Sequence, residues 1–152
     1  MKKLILSLVL LFAGLSLANA QTKPYLTYAD AQQITAAATE KAVAENWNVV
    51  IVILDDGGNL ISLQRMDGVQ VGSIEVAQAK AKSAVFFKRP TKNFEDAMKL
   101  EGGAKIATLP NAVGVEGGLP IFKDGIIVGS IGVSGVTSVQ DGIIAAAGLE
   151  KY

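Results

Sequence analysis

Residues 49–54, Val-Val-Ile-Val-Ile-Leu, constrain this chain more than any other stretch. Six consecutive apolar residues, most of them β-branched, offer water no polar face, so they suit a strand covered on both sides. Asp55-Asp56-Gly57-Gly58-Asn59 follows as a cluster of turn formers. Residues 60–65 then resume as a strand, with Ile61, Leu63 and Arg65 on one face and Ser62 and Gln64 on the other. So short a connection makes the pair an antiparallel hairpin. A second hairpin follows the same logic. Residues 117–122 lead in, Lys123-Asp124-Gly125 turns, and residues 126–133 return. Gly129 and Gly132 inside the last run mark bends or the close approach of another backbone.

The helices show a different periodicity. Thr27 caps a pattern of Ala31, Ile34, Ala38 and Ala42 over residues 28–46, with Asp30 in its first turn. Ser73 opens a second helix to about residue 87, where Ala77, Ala81 and Ala84 form a small-residue face and Pro90 enforces the stop. Thr91 caps a short helix over residues 93–100. Ser138 with Asp141 resembles a capping box opening a last helix to Gly148. Residues 101–116 carry no clear period. The order α, β, β, α, α, β, β, α, with hairpins supplying the strand pairs, predicts an α+β domain: an antiparallel sheet flanked by helices rather than a doubly wound parallel one.

The first twenty residues read as an address. A basic Met1-Lys2-Lys3, an apolar run from Leu4 to Leu17 and Ala18-Asn19-Ala20 make the pattern of a cleaved signal peptide. The run is shorter than the roughly 20 residues of a membrane span. The expectation is a periplasmic or secreted single domain over residues 21–152, with no stable membrane anchor after cleavage.

Composition excludes whole classes of chemistry. The 152 residues contain no His and no Cys. No Ser–His–Asp or Cys–His nucleophile, no zinc finger, no thiolate-held iron–sulfur cluster and no disulfide can be built. Fourteen basic residues balance fourteen acidic ones, against the basic surface of a nucleic-acid binder. The run from Gly129 to Gly135 is neither G-x-G-x-x-G nor a P-loop, and the Asp55–Asn59 turn lacks calcium-loop spacing.

Two cations stand out. Arg65 ends an otherwise apolar strand face and needs a partner, either a ligand carboxylate or an acid such as Asp67 or one on a neighbouring subunit. Lys80 sits among Ala77, Ala81 and Ala84 on the second helix. It is either a buried amine or one that extends from the edge of that face into water.

Several segments taken together resemble the GlcG/HbpS-like family, described as haem-binding or haem-degrading. They are residues 52–60, Arg65-Met66-Asp67-Gly68, residues 77–84, Arg89-Pro90-Thr91, residues 116–121, residues 129–135 and Gln140-Asp141. The likeness runs from about Leu26 to Leu149. It implies a five-stranded antiparallel sheet with helices on its faces, similar to profilin- and PAS-like domains. It also implies a homo-oligomer with small-molecule pockets and, in some exported relatives, haem as the ligand. On that resemblance Arg65, Met66, Asp67, Lys80, Arg89, Glu116, Gly117 and Gly118 are the candidate ligand-binding residues. Without histidine, Met66 is the best-placed iron ligand, with Met98, Tyr25, Tyr28, Tyr152 or a lysine amine as others, and a pentacoordinate haem or one without a protein ligand is a further alternative. Phe86, Phe87, Ile121 and Phe122 would supply apolar walls. The leading reading is a non-catalytic binder of haem or a related anionic ligand. The others are a partner-binding oligomer with a vestigial pocket, and an enzyme on a small hydroxy-acid or tetrapyrrole whose proton carriers come from Glu116, Asp67, Asp141, Lys80 and the tyrosines.

Overall fold

A computed structural model describes residues 22–150 and Tyr152. The signal peptide expected over residues 1–20 lies outside the described residues. In chain order the elements are α1 (Tyr28–Ala44), β1 (Val50–Asp55), β2 (Leu60–Arg65), α2 (Ser73–Phe87), α3 (Lys92–Met98), a 3-10 helix (Gly103–Thr108), β3 (Gly118–Lys123), β4 (Ile126–Ser134) and α4 (Ser138–Leu149). The strands form one antiparallel sheet in the order β2-β1-β4-β3.

Among the described residues the sheet has four strands, not the five implied by the resemblance. The stretch between α3 and β3 supplies none. Gly102-Gly103, Pro110 and Gly114 interrupt it too often for a run of strand formers, and it folds as the 3-10 helix and turns.

The β1 run is buried as its composition demands, with Val50 to Ile53 wholly inaccessible. Its two faces feed two cores. Ile51 and Ile53 join Ile34, Ala38, Ile131, Val133 and Ile144 beneath α1 and α4. Val50, Val52 and Leu54 pack with Ala77 and Ala81 of α2 on the other side. The small-residue faces serve close approach. A Cβ on Gly132 would sit 2.1 Å from the Ala77 carbonyl oxygen, so helix and sheet backbones touch there.

Both hairpins carry an irregularity beside their turns. The β1–β2 register runs from Ile53↔Ser62 to Leu54↔Leu60, leaving Ile61 as the extra residue. That bulge turns Ile61 into the α1/α4 core while Leu63 packs on the α2 side, so the shared face expected for the two does not form. In β3–β4 the register runs from Ile121↔Gly129 to Phe122↔Ile127, with Val128 as the extra residue.

Capping follows the sequence at one end of the chain and departs from it at the other. Thr27 and Asp30 form a reciprocal capping box on α1. At α4 the box is Thr137 with Gln140, one position before the expected Ser138–Asp141 pair. Asp141 is thereby released to point inward. Gly72 precedes α2 without a side-chain cap, and Ser73 is buried in the first turn. The Thr91 hydroxyl caps no helix. It accepts the Gly118 amide at 3.0 Å, and the Thr91 amide donates to the Gly118 carbonyl at the same distance, stitching α3 to β3.

Candidate functional site

Lys80 is 1% exposed, the bulkiest fully buried side chain among the described residues. Ala77, Ala81 and Ala84 are short enough for its stem to run between α2 and the sheet, so the small-residue face buries the amine. Its Nζ donates to Asp141 Oδ2 at 2.7 Å and to the Val133 carbonyl at 3.0 Å. Asp141 Oδ1 accepts the Val136 amide at 3.2 Å. Burial pushes the Asp141 carboxyl above its ordinary range, against the opposing pull of Lys80 and the backbone amides. Gly117 is shaped by this pair: its φ is +124°, and a Cβ there would lie 2.9 Å from Lys80 Nζ. Gly118 is equally tight, 2.3 Å from the Lys80 carbonyl oxygen by the same measure.

Glu116 stands next to this knot. Its backbone amide donates to Glu95 Oε2 at 2.7 Å. Its own Oε2 is buried without a hydrogen-bond partner, and its carboxyl lies against the bare Cα of Gly142. Burial raises it, while Lys92 pulls the other way. Lys80, Glu116, Gly117, Gly118 and Asp141 therefore form one cluster, but the Lys80–Asp141 pair at its centre is sealed from solvent and cannot meet a substrate in this conformation.

The remaining candidate residues are elsewhere. Arg65 pairs with Val50 at the start of β1, and its guanidinium donates to the Val69 carbonyl at 3.2 Å. Its partner is thus a backbone oxygen, not Asp67. Met66 beside it packs its half-buried side chain on the α1/α4 core, and Asp67 is exposed. Arg89 lies just past the other end of α2, exposed, with its guanidinium 5.6 Å from the centre of the Phe94 ring. A 15-residue helix separates the two arginines, a rise of about 22 Å. Arg65, Lys80 and Arg89 thus face different surroundings: the Val69 carbonyl, the sealed Asp141 carboxylate and the Phe94 ring. Phe87 is occupied with Phe94 in an edge-on ring pair, and Ile121 is buried in the α1/α4 core. Among the described residues no group of three or more His, Cys, Asp or Glu converges on a metal position.

A concave site exists at the end of the sheet where both hairpin turns fall. It is a cleft of about 490 Å³ lined by Lys23, Asp56, Val85, Lys88, Phe122, Gly125, Ile126 and Ile127. That volume is within the usual range for small-molecule pockets. Phe122 is 52% exposed, and Ile126 is exposed beside it. The β3–β4 irregularity explains the position: it falls where Phe122 faces Ile127, at the mouth of the hairpin. Lys23 is ion-paired with Asp56, while Lys88 caps α2 in a left-handed conformation (φ +54°). Of this set the sequence singled out only Phe122. Lys23 and Lys88 had no signal, because nothing local distinguishes a lysine on a cleft rim from one in open water.

A family model described as haem degrading protein HbpS-like matches residues 26–150. Protein GlcG of Escherichia coli K12 is 40% identical over 114 residues, 75% of this chain and 84% of GlcG. The crystal structure of Klebsiella pneumoniae protein ORFY superposes with a TM-score of 0.77 at 34% identity, covering 89% of this chain and 96% of ORFY. The crystal structure of a PduOC–haem complex superposes equally well, with a TM-score of 0.77 at 31% identity, over 85% of this chain and 96% of PduOC.

Proposed function

The chain belongs to the HbpS-like family, and we propose that it binds haem as a ligand in the cleft between Phe122 and Lys88. The observation that carries the reading is the pairing of an open apolar wall with rim ammonium groups, in a fold shared with a protein solved in complex with haem. Phe122 and Ile126, both exposed, with Ile127 beside them, offer apolar surface to a macrocycle face. The Lys88 ammonium is placed to meet a propionate, and Lys23 is a second donor if it exchanges Asp56 for the ligand. When bound, haem supplies the redox and ligand-binding chemistry of its iron. The residues of the cleft hold the ring, exclude water from one face and orient the carboxylates.

The test is a hemin titration followed by absorbance and by tryptophan fluorescence. Saturation near one haem per chain, weakened about tenfold or more in Phe122→Ser, is the expected result. Uptake that never saturates, or that Phe122→Ser leaves unchanged, rejects the cleft as the site.

On the same reading the protein works after export, in the periplasm or outside the cell, as residues 1–20 suggest. It also assembles with copies of itself. Val139 and Ile143, one turn apart on α4, are 56% and 42% exposed and give that helix an apolar outer stripe. A solution mass above that of one chain is the expected outcome, and a monomer at micromolar concentration counts against it.

A further inference from the structure

The cleft fits one part of haem and not another. Its walls and its lysines suit a flat ring with carboxylates, yet its lining includes no methionine, no tyrosine and, as nowhere in the chain, no histidine or cysteine. Those are the usual protein ligands of haem iron. The two lysines of the lining are ammonium donors with no lone pair to offer iron, and Lys23 is held by Asp56. Met66 and Met98 are committed elsewhere. Met66 packs into the α1/α4 core at the opposite end of the sheet. The Met98 sulfur lies against Gly114, close enough that a Cβ there would be 2.1 Å away. Tyr28 belongs to a separate depression between α1 and β2 with Gln32 and Thr35. Tyr25, two residues after Lys23 in the chain, is 70% exposed, and Tyr152 packs on the α1/α4 core with the centre of its ring 5.8 Å from Lys123 Nζ; neither is part of the lining.

From this mismatch we infer that the chain recognises the porphyrin and not its metal: Phe122 and its neighbours bind the ring, Lys88 binds a carboxylate, and the iron is left without a protein ligand. The inference rests on the haem-binding reading above and names the chemical class that this site selects, a planar tetrapyrrole bearing free carboxylates. Metal-free protoporphyrin IX and its metal complexes then bind alike, and esterifying the carboxylates matters more than removing the iron. Asp56 acts against the ligand by occupying Lys23.

The experiment compares three probes on the full chain: hemin, protoporphyrin IX and protoporphyrin IX dimethyl ester, each followed by absorbance or porphyrin fluorescence. Hemin and protoporphyrin IX are expected to agree within about threefold, and the ester to bind about tenfold more weakly, the loss of one charge-assisted contact. Lys88→Glu is expected to weaken hemin and protoporphyrin IX by the same factor. Asp56→Asn, which frees the Lys23 ammonium, is expected to tighten both. Hemin binding thirtyfold or more tighter than protoporphyrin IX overturns the inference and leaves the haem-binding reading standing, with Tyr25→Phe identifying the ligand if the preference disappears. Failure of all three probes to saturate overturns the reading and the inference together.

Discussion

The sealed ion pair offers the sharpest test of how this fold is held. Lys80 Nζ and Asp141 Oδ2 are 2.7 Å apart, with side chains 1% and 3% exposed. At an effective dielectric of about 20 their attraction is about 6 kcal/mol before the cost of taking both charges out of water. That cost is of similar size, so the pair contributes little net stability, whereas removal of one partner strands the other. Asp141→Asn leaves the Lys80 ammonium with the Val133 carbonyl and an amide oxygen but no counter-charge, and is expected to cost about 3–5 kcal/mol. That is a large share of a typical domain's stability of about 5–15 kcal/mol. Lys80→Met strands the carboxylate instead. Burial already raises the Asp141 carboxyl, and without Lys80 nothing cationic opposes that shift in the knot. Above the folded-state value the Lys80→Met chain bears the full cost of a buried charge. As pH falls through that value the carboxyl protonates and the loss shrinks, so this variant gains stability relative to wild type as pH is lowered from 7 toward the ordinary carboxylate range of about 4. The double variant Lys80→Met/Asp141→Asn removes both charges and is expected within about 1 kcal/mol of wild type. Urea unfolding at pH 7 and pH 5 reads all four chains. Single variants each costing under about 1 kcal/mol, or a double variant as damaged as the sum of the singles, would refute the reasoning.

Three further outcomes follow from the packing and the shifted carboxyls. Gly132→Ala places its methyl 2.1 Å from the Ala77 carbonyl oxygen and 2.7 Å from the Ala81 amide nitrogen, both backbone atoms. It is expected to cost about 3 kcal/mol, while Gly72→Ala, with nothing within 4 Å, changes urea-unfolding stability by less than about 0.5 kcal/mol. Burial holds the Glu116 carboxyl above its ordinary range, so the penalty for its charge is present at neutral pH and disappears as pH falls to about 4. Glu116→Gln should therefore melt higher than wild type at pH 7, with the gap closing toward pH 4; a gap that widens on acidification contradicts the assignment. Asp30 and Glu95 act in the opposite sense. Their carboxyls are lowered, most of all by the Thr27 and Glu116 backbone amides respectively, so acidification below about pH 4 removes stability they supply above it.

The elements were legible because their signals are local. The β-branched run of β1, the Asp-Gly turns and the Thr27 cap of α1 each declare themselves within a few residues and form as read, while Asp30, expected only as a first-turn carboxylate, also closes the box on the Thr27 amide. The bulge at Ile61 was not legible, because an extra residue is defined by the partner strand. Residues 101–116 read as irregular and fold as a 3-10 helix and turns, so the fifth strand implied by the family resemblance is not found there. The candidate site was half legible. Lys80, Glu116, Gly117 and Gly118 do meet, but round a partner, Asp141, whose place in a helix start suggested a cap. Arg65 and Arg89 were grouped by chemistry alone; Arg65 closes β2 before α2 begins, whereas Arg89 lies past the end of α2 against the Phe94 ring. The cleft draws on four segments distant in sequence, which no spacing rule connects.

The most direct measurement is a crystal structure of the chain grown with hemin. The expected electron density has the macrocycle against Phe122 and Ile126, with a carboxylate at Lys88 and no side chain of this chain on the iron. A macrocycle seated beside Arg65 and Met66, or an iron held by the Met66 sulfur, would contradict the assignment at its root.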